Sequence, residues 1–308
     1  MELANVRLVA SGIGFPEGPI AMPDGSVILV EIKRGTLSRV TPDGAIEVIA
    51  DLGGGPNGAA IGPDGAVYVC NNGGFEWQEV MGFTLPGHQP VDYSGGRIER
   101  VDLATGDVTV LYTECGGHPL RGPNDLVFDA GGGMWFTDHG KIRDRERDHG
   151  GIYYALADGS AITEVIFPAE APNGIGLSPE GSTLYYAETY TGRVYQRRVV
   201  GPGQLAPAGA VDPTVLLVGL PGAMMLDSLA VDSAGNVAVG TLGLTPGITV
   251  IAPDGQWELV NVPAEFFDPL VTNICFGGPD LTTAYWTCSS TGRLIAGDWP
   301  RPGLKLEF

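Results

Sequence analysis

Six short polar residues stand at the head of apolar runs: Glu17, Asn57, Asn124, Asn173, Asp227 and Asn273. Four of them follow a turn-forming proline, at Pro16, Pro56, Pro123 and Pro172. Taken singly, each is an ordinary turn residue that caps backbone groups where a strand begins. Gathered at one place they would be something else, because two carboxylates and four side-chain amides form an oxygen-rich cluster. Such a cluster is costly to bury unless a cation accepts its lone pairs.

What would gather them is the repeat they mark. After most copies comes a Gly-rich turn and a second β-rich run: Pro23-Asp24-Gly25 before Val27 to Val30, Pro63-Asp64-Gly65 before Val67 to Val69, and Gly131 to Gly133 before Met134 to Thr137. Pro179-Glu180-Gly181 leads into Leu184 to Tyr186, Ser233 to Gly235 into Val237 to Val239, and Pro279-Asp280 into Ala284 to Thr287. One hairpin is thus written six times, at spacings near 50 residues. That period, with about four short strands in each copy, predicts an all-β fold, a six-bladed β-propeller, and the polar residues gathered at its axis would make a central divalent-metal site. The innermost strand of each blade lies against the axis, so the six polar residues should converge at one end of the channel. Residues 1–308 are expected to form a single propeller domain. The strand-like segment Leu3 to Ala10 has no blade of its own and is expected to complete the last one, whose outer strand is otherwise supplied only by the tail Leu304 to Phe308.

Composition agrees. The 48 Gly and 24 Pro fall at repeated turn positions instead of in one low-complexity block, which fits many hairpins. The charge balance is 17 basic against 36 acidic residues, a net of −19, so nucleic acid is not an expected partner. The run Lys141 to Arg147 interleaves its signs and reads as a solvated loop. The amino-terminal residues lack a basic region followed by an apolar core, and no run is long and apolar enough for a membrane helix; a cytoplasmic protein, monomer or small homo-oligomer, is expected. Cys70, Cys115, Cys275 and Cys288 lack metal-type spacing and read as free thiols, with a Cys275–Cys288 bridge the alternative.

Three further features could serve chemistry. Between Asn71 and Gly96 lie more than twenty residues without strand pattern but with Phe75, Trp77, Phe83 and Tyr93, which reads as an ordered flap over a pocket. Arg121 precedes Asn124 by three residues and could hold a substrate carboxylate or hydroxyl. Asp138 and His139 follow a strand of the same repeat, and His139 is the histidine best placed for proton transfer.

In this order and spacing, Glu17-Gly18-Pro19, Arg121 to Asp125 with Phe136 to Asp138, Pro172-Asn173-Gly174 and Asp227 to Asp232 are similar to the motifs of the gluconolactonase/regucalcin family over nearly the whole chain. The resemblance implies a six-bladed propeller with one catalytic divalent cation, held by Glu17, Asn173 and Asp227 with Asn124 as a looser fourth ligand. That oxygen set suits Ca²⁺, with Mn²⁺, Mg²⁺, Fe²⁺ or Zn²⁺ as alternatives. The implied activity is metal-dependent hydrolysis of a small lactone, an aldonolactone such as gluconolactone or a related cyclic ester. Asp227 first, Glu17 second, or else His139 or Asp138 would take a proton from water, while Arg121, Asn124, Trp77 and Asp138 would contact the substrate. Ser228 stands where many members have Gly, which would narrow the pocket or add a hydroxyl. The alternatives are hydrolysis of a phosphoester, phosphofluoridate or aryl ester at the same metal site, and a non-catalytic binding propeller that an ion only stabilises. Recruitment of Asn57 and Asn273 as further ligands would favour the last. A propeller of the strictosidine-synthase type is disfavoured by the Glu17 and Asp227 pair.

Overall fold

The computed structural model describes residues 3–209 and 212–308. Their strands form the expected six blades. Blade one is Pro16–Ala21, Val27–Glu31, Thr36–Val40 and Ile46–Asp51, paired antiparallel in chain order from the axis outward. Blade two is Pro56–Ile61, Val67–Asn71, Arg97–Val101 and Val108–Tyr112; blade three is Pro123–Phe128, Gly133–Asp138, Gly150–Leu156 and Ile162–Ala169. Blade four begins with Pro172–Leu177 and Thr183–Glu188. Its long third strand, Arg193–Gly201, pairs with both Gln204–Leu205 and Leu216–Gly219. Blade five is Met225–Val231, Val237–Leu242, Gly247–Ile251 and Trp257–Asn261. Blade six takes Val271–Gly277, Thr283–Cys288 and Arg293–Asp298 from the end of the chain and its outer strand, Ala4–Ser11, from the beginning. The ring is therefore closed by both chain ends, with Ala4–Ser11 covering the outer edge of Arg293–Asp298. Among the described residues no helix is long and apolar enough to cross a membrane.

The second strand of each blade reads as a continuous apolar run because both faces of the sheet are buried. In blade one, Val27 and Leu29 pack toward blade six while Ile28 and Val30 pack toward blade two. In blade two, Val67 and Val69 face blade one, whereas Tyr68 and Cys70 face blade three. Among the described residues six such clusters occur, one between each pair of neighbouring blades. The core is thus a ring of six interfaces, and the axis is left for polar groups. Turns at the far end are closed by side chains: Asp24 Oδ1 accepts from Ser26 N at 2.9 Å and Asp254 Oδ1 from Gln256 N at 3.0 Å.

Two expectations are corrected. The tail does not join blade six: Leu304 N donates to Val231 O at 3.0 Å, and Phe308 packs edge-on against Phe128 at 6.0 Å, so the tail crosses from blade five to blade three. The blade-two insertion contains a hairpin, Trp77–Val80 with Phe83–Pro86, turned at Met81 and Gly82. The expectation of free thiols holds, since all four cysteines are unbridged. Cys275 pairs with Tyr285 and Cys288 with Val271, three rungs along the same strand pair, which leaves no bridge between them.

Candidate active site

A bare strand would aim none of the six polar residues down the axis, since its side chains alternate between the two neighbouring blades. Every inner strand breaks that alternation at the residue concerned. The ladder register shifts between Glu17 and Ile20, Pro56 and Ala59, Pro123 and Leu126, Pro172 and Ile175, Leu226 and Leu229, and Val271 and Asn273. Such bulges re-aim side chains next to functional sites. The backbone amides they release are taken up locally: Glu17 Oε2 accepts from Gly18 N at 2.7 Å, Asp227 Oδ1 from Ser228 N at 3.1 Å, and Asn273 Oδ1 from Ile274 N at 2.8 Å.

Small residues after the polar ones let the inner strands come together. A Cβ on Gly174 would stand 2.5 Å from Leu229 N and 2.7 Å from Asp227 O, both backbone atoms of blade five. Gly174→Ala is therefore expected to lower stability by about 1–3 kcal/mol. It should also displace Asn173 from Asp227 and cost turnover on the order of 10²-fold. Thermal melts beside steady-state rates would check this, and an unaltered melt would contradict the packing described.

The bulges open onto a cavity of ≈ 150 Å³ whose wall includes Glu17, Asn57, Asn124, Asn173 and Asp227. Asn273 stands behind them: its Nδ2 donates to Glu17 Oε2 at 2.7 Å, and its oxygen is held by Ile274 N. Asn173 is oriented by Thr189, whose Oγ1 accepts from Nδ2 at 3.1 Å, and by the Ser228 hydroxyl, 3.4 Å from Oδ1. Ser228 is fully buried and does not line the cavity, so it adds a hydroxyl behind Asn173 without narrowing the pocket.

The electrostatics are those of crowded, dehydrated acids. Burial pushes Glu17 and Asp227 above the usual carboxylate range, and for Asp227 the nearby Glu17 charge adds to the effect. Asp125, where copies one, two and four carry glycine, is pushed up to about 8, by burial first and by Glu17 second. Its carboxylate lies beneath the cavity, with Leu126 N at 2.9 Å and Ile175 N at 3.4 Å. Among the described residues, two buried side-chain oxygens lack a hydrogen-bond partner: Glu17 Oε1 and Asn124 Oδ1. Buried acceptors without partners are costly, and oxygens of this kind beside a second carboxylate fit a hard cation. Among the described residues no three His, Cys, Asp or Glu side chains cluster as metal ligands. Any such site here is completed by asparagine oxygens.

His139 also lines the cavity. Burial first, then the charges of Lys141 and Arg147, hold its pKa down at about 4, so the ring is neutral at neutral pH, and its Nδ1 has no partner. Three of the residues expected to contact substrate do not line this cavity. Asp138 is buried away from the cavity, accepting from Arg121 N at 2.7 Å, Gly122 N at 2.7 Å and Gly140 N at 2.9 Å; it ties down the loop that delivers Asn124. The Arg121 side chain is exposed and off the cavity wall. Trp77 packs behind the wall, 5.0 Å from Phe15 and 6.1 Å from Phe75.

The flap does roof the cavity, through Phe75, Pro86, Gly87 and Gln89. It reaches blade one through Lys33–Glu79 at 2.6 Å, the loop before blade six through Phe83–Phe267 at 6.2 Å, and blade three through Gln89 N to Ile142 O at 2.9 Å. A residue taken above for a solvated one proves central: Lys141 is 2% exposed and part of the cavity wall. Ile142 also lines the cavity, and only the stretch from Arg143 to Arg147, with Arg143 paired to Asp148 and Glu146, behaves as a surface loop.

Known proteins share this architecture. The chain is 26% identical over 298 residues to the gluconolactonase of Zymomonas mobilis, covering 88% of this chain and 76% of that one. It is 30% identical over 246 residues to lactonase drp35 of Staphylococcus saprophyticus, covering 79% of this chain and 66% of the relative, just under two thirds of that protein's length. Among solved structures, a gluconolactonase of Xanthomonas campestris superposes with a TM-score of 0.73 at 21% identity, covering 96% of this chain and 89% of that one. A calcium-binding regucalcin of Agrobacterium tumefaciens gives 0.72 at 19% identity, covering 99% of each. A family profile described as SMP-30/Gluconolactonase/LRE-like region matches residues 15–290. The chain belongs to the SMP-30/gluconolactonase/LRE-like family.

Proposed function

We propose that this protein is a metal-dependent lactonase that opens a small cyclic ester in the axial cavity. The observation that carries the reading is the pair of buried, partnerless oxygens, Glu17 Oε1 and Asn124 Oδ1, on the same wall as Asp227 and Asn173. The relatives named gluconolactonase and lactonase, and the calcium-binding regucalcin, support it. Glu17, Asn124, Asn173 and Asp227 would hold one divalent cation, with Ca²⁺ the best match to an all-oxygen set. A bound cation would supply Lewis-acid polarisation of the ester carbonyl.

The chain's own groups do the rest. Asp227 takes a proton from the attacking water as the new C–O bond forms. The same proton then goes to the ring oxygen as the acyl C–O bond breaks, so the product is the open hydroxy acid. His139, neutral and on the wall, is the second group that can hold that proton. Phe75, Pro86 and Ile142 exclude bulk water from above, and Asn57 offers a polar contact to ring substituents. A purely structural ion would call on Asn273 as well, yet its amide and oxygen are engaged with Glu17 and Ile274 N. This favours a site with positions left for water and substrate.

The test is a panel of aldono-1,4- and 1,5-lactones beside simple γ- and δ-lactones, assayed by pH-stat on chelator-treated protein with each divalent cation restored singly. Cation-dependent turnover of at least one ring class is expected. Background rates throughout, with a cation that still raises the melting temperature, would reject the lactonase reading in favour of a structural ion.

A further inference from the structure

We propose that Lys141 Nζ and Asn72 Nδ2 form an anion subsite on the flap side of the cavity, which takes a carboxylate carried by the substrate away from its reacting ester. The inference rests on the lactonase reading of the same cavity and narrows it: the substrate class becomes lactones of dicarboxylic acids.

Two donors in this corner lack acceptors. Lys141 Nζ donates to Asn72 Oδ1 at 3.0 Å and to Gly74 O at 2.6 Å, which uses two of the three protons of an ammonium. The Asn72 amide has its orientation settled by its oxygen, which also accepts from Gly74 N at 2.9 Å. The nitrogen on the other side, Nδ2, is buried and has no partner. Both residues are 2% exposed, and both belong to the cavity wall. One carboxylate, with two acceptor oxygens, satisfies both donors at once.

Charge points the same way. Lys141 is the one lysine or arginine on the cavity wall among the described residues, and no carboxylate there lies within ion-pair distance of its Nζ. The half-buried Arg97, by contrast, is matched by Glu99 at 2.6 Å. Asp138 and Asp148 act on it only at a distance, and a buried cation without a direct ion pair is costly. The rings of Phe75 at 4.0 Å and Tyr93 at 5.6 Å compensate only in part. Burial accordingly presses the Lys141 pKa down to about 7, and an anionic ligand group would restore the charge. A cavity of ≈ 150 Å³ is of a size that admits a six-membered ring.

The deciding comparison uses D-glucaro-1,4-lactone and D-glucono-1,4-lactone, which differ by a carboxylate in place of a hydroxymethyl group. Wild type should prefer the former by at least about tenfold in kcat/KM. Lys141→Met should bring the ratio near unity. Asn72→Asp, which keeps the oxygen that Lys141 and Gly74 use and replaces the free donor by an acceptor, should do the same. A parallel calorimetric arm measures binding of tetrahydrofuran-2-carboxylate against its carboxamide to the calcium-loaded protein. If no lactone is turned over but the carboxylate still binds tighter and loses that margin in Lys141→Met, the subsite stands and the lactonase reading fails. Absence of a carboxylate preference in wild type, or a preference that persists in both folded variants, overturns the subsite.

Discussion

Asp227→Asn should lower kcat/KM for the preferred lactone by roughly a thousandfold while making the ion-free protein more stable, not less. The substitution keeps the shape of the side chain and an oxygen for Ser228 N, which Asp227 Oδ1 now serves at 3.1 Å. What it removes is one negative charge from a pair. That charge is needed to hold a cation against water and to take the proton of the attacking water. In the ion-free state the same charge is a burden, because burial and the Glu17 and Asp125 carboxylates all disfavour the ionised form of Asp227. Function and stability should therefore move in opposite directions, as expected where a site stores unfavourable electrostatics. Steady-state rates with saturating calcium, beside melts in chelator, give both signs. A folded Asp227→Asn enzyme within tenfold of wild type would remove Asp227 from the mechanism. A lower melting temperature in chelator would mean that the carboxylate makes a stabilising contact in its present place.

The parts of this site that were legible in the sequence are those repetition could betray. Glu17, Asn57, Asn124, Asn173, Asp227 and Asn273 recur with the same turn and the same apolar run, so each copy supports the others. The closing role of Ala4–Ser11 was legible for a similar reason, since a strand-like segment without a hairpin has only the last blade to join. What could not be read was which neighbour each residue answers to. Asp138 looks like a catalytic acid in one dimension, yet three backbone amides take it up. Arg121 sits beside Asn124, but a bulge that turns one side chain to the axis leaves its near neighbours facing elsewhere. Lys141 was hidden by the charged run it opens, because burial of its ammonium depends on the flap, whose path over blade three carries no periodic signal. Asp125 did leave a trace, as the one carboxylate where sister copies carry glycine.

The same acids dictate how the ion-free protein should answer to pH. Asp125 has a folded-state pKa of about 8 against an ordinary value of 3.8, and Glu17 and Asp227 are shifted upward too. A carboxyl whose pKa is raised on folding binds more protons in the native state than in the unfolded one. Its stabilising share is full below the unfolded value and is lost as pH rises toward the folded one. In chelator, then, the melting temperature should fall between pH 5 and pH 8 at constant ionic strength. The loss should amount to at least about 1 kcal/mol, or about 2 °C for a chain of this size. The net charge of −19 adds a general repulsion of the same sign, so a variant must isolate the local effect: Asp125→Asn should flatten the slope markedly while altering net charge by a single unit. Calcium should work against the trend, because a cation bound to deprotonated ligands displaces protons and binds more tightly as pH rises. Its stabilisation should thus be larger at pH 8 than at pH 5. Scanning calorimetry across that range, with chelator and with excess calcium, separates the cases. A chelated protein as stable at pH 8 as at pH 5, or a calcium shift that ignores pH, would show that these three carboxylates do not share the buried, mutually repelling environment that the axis gives them.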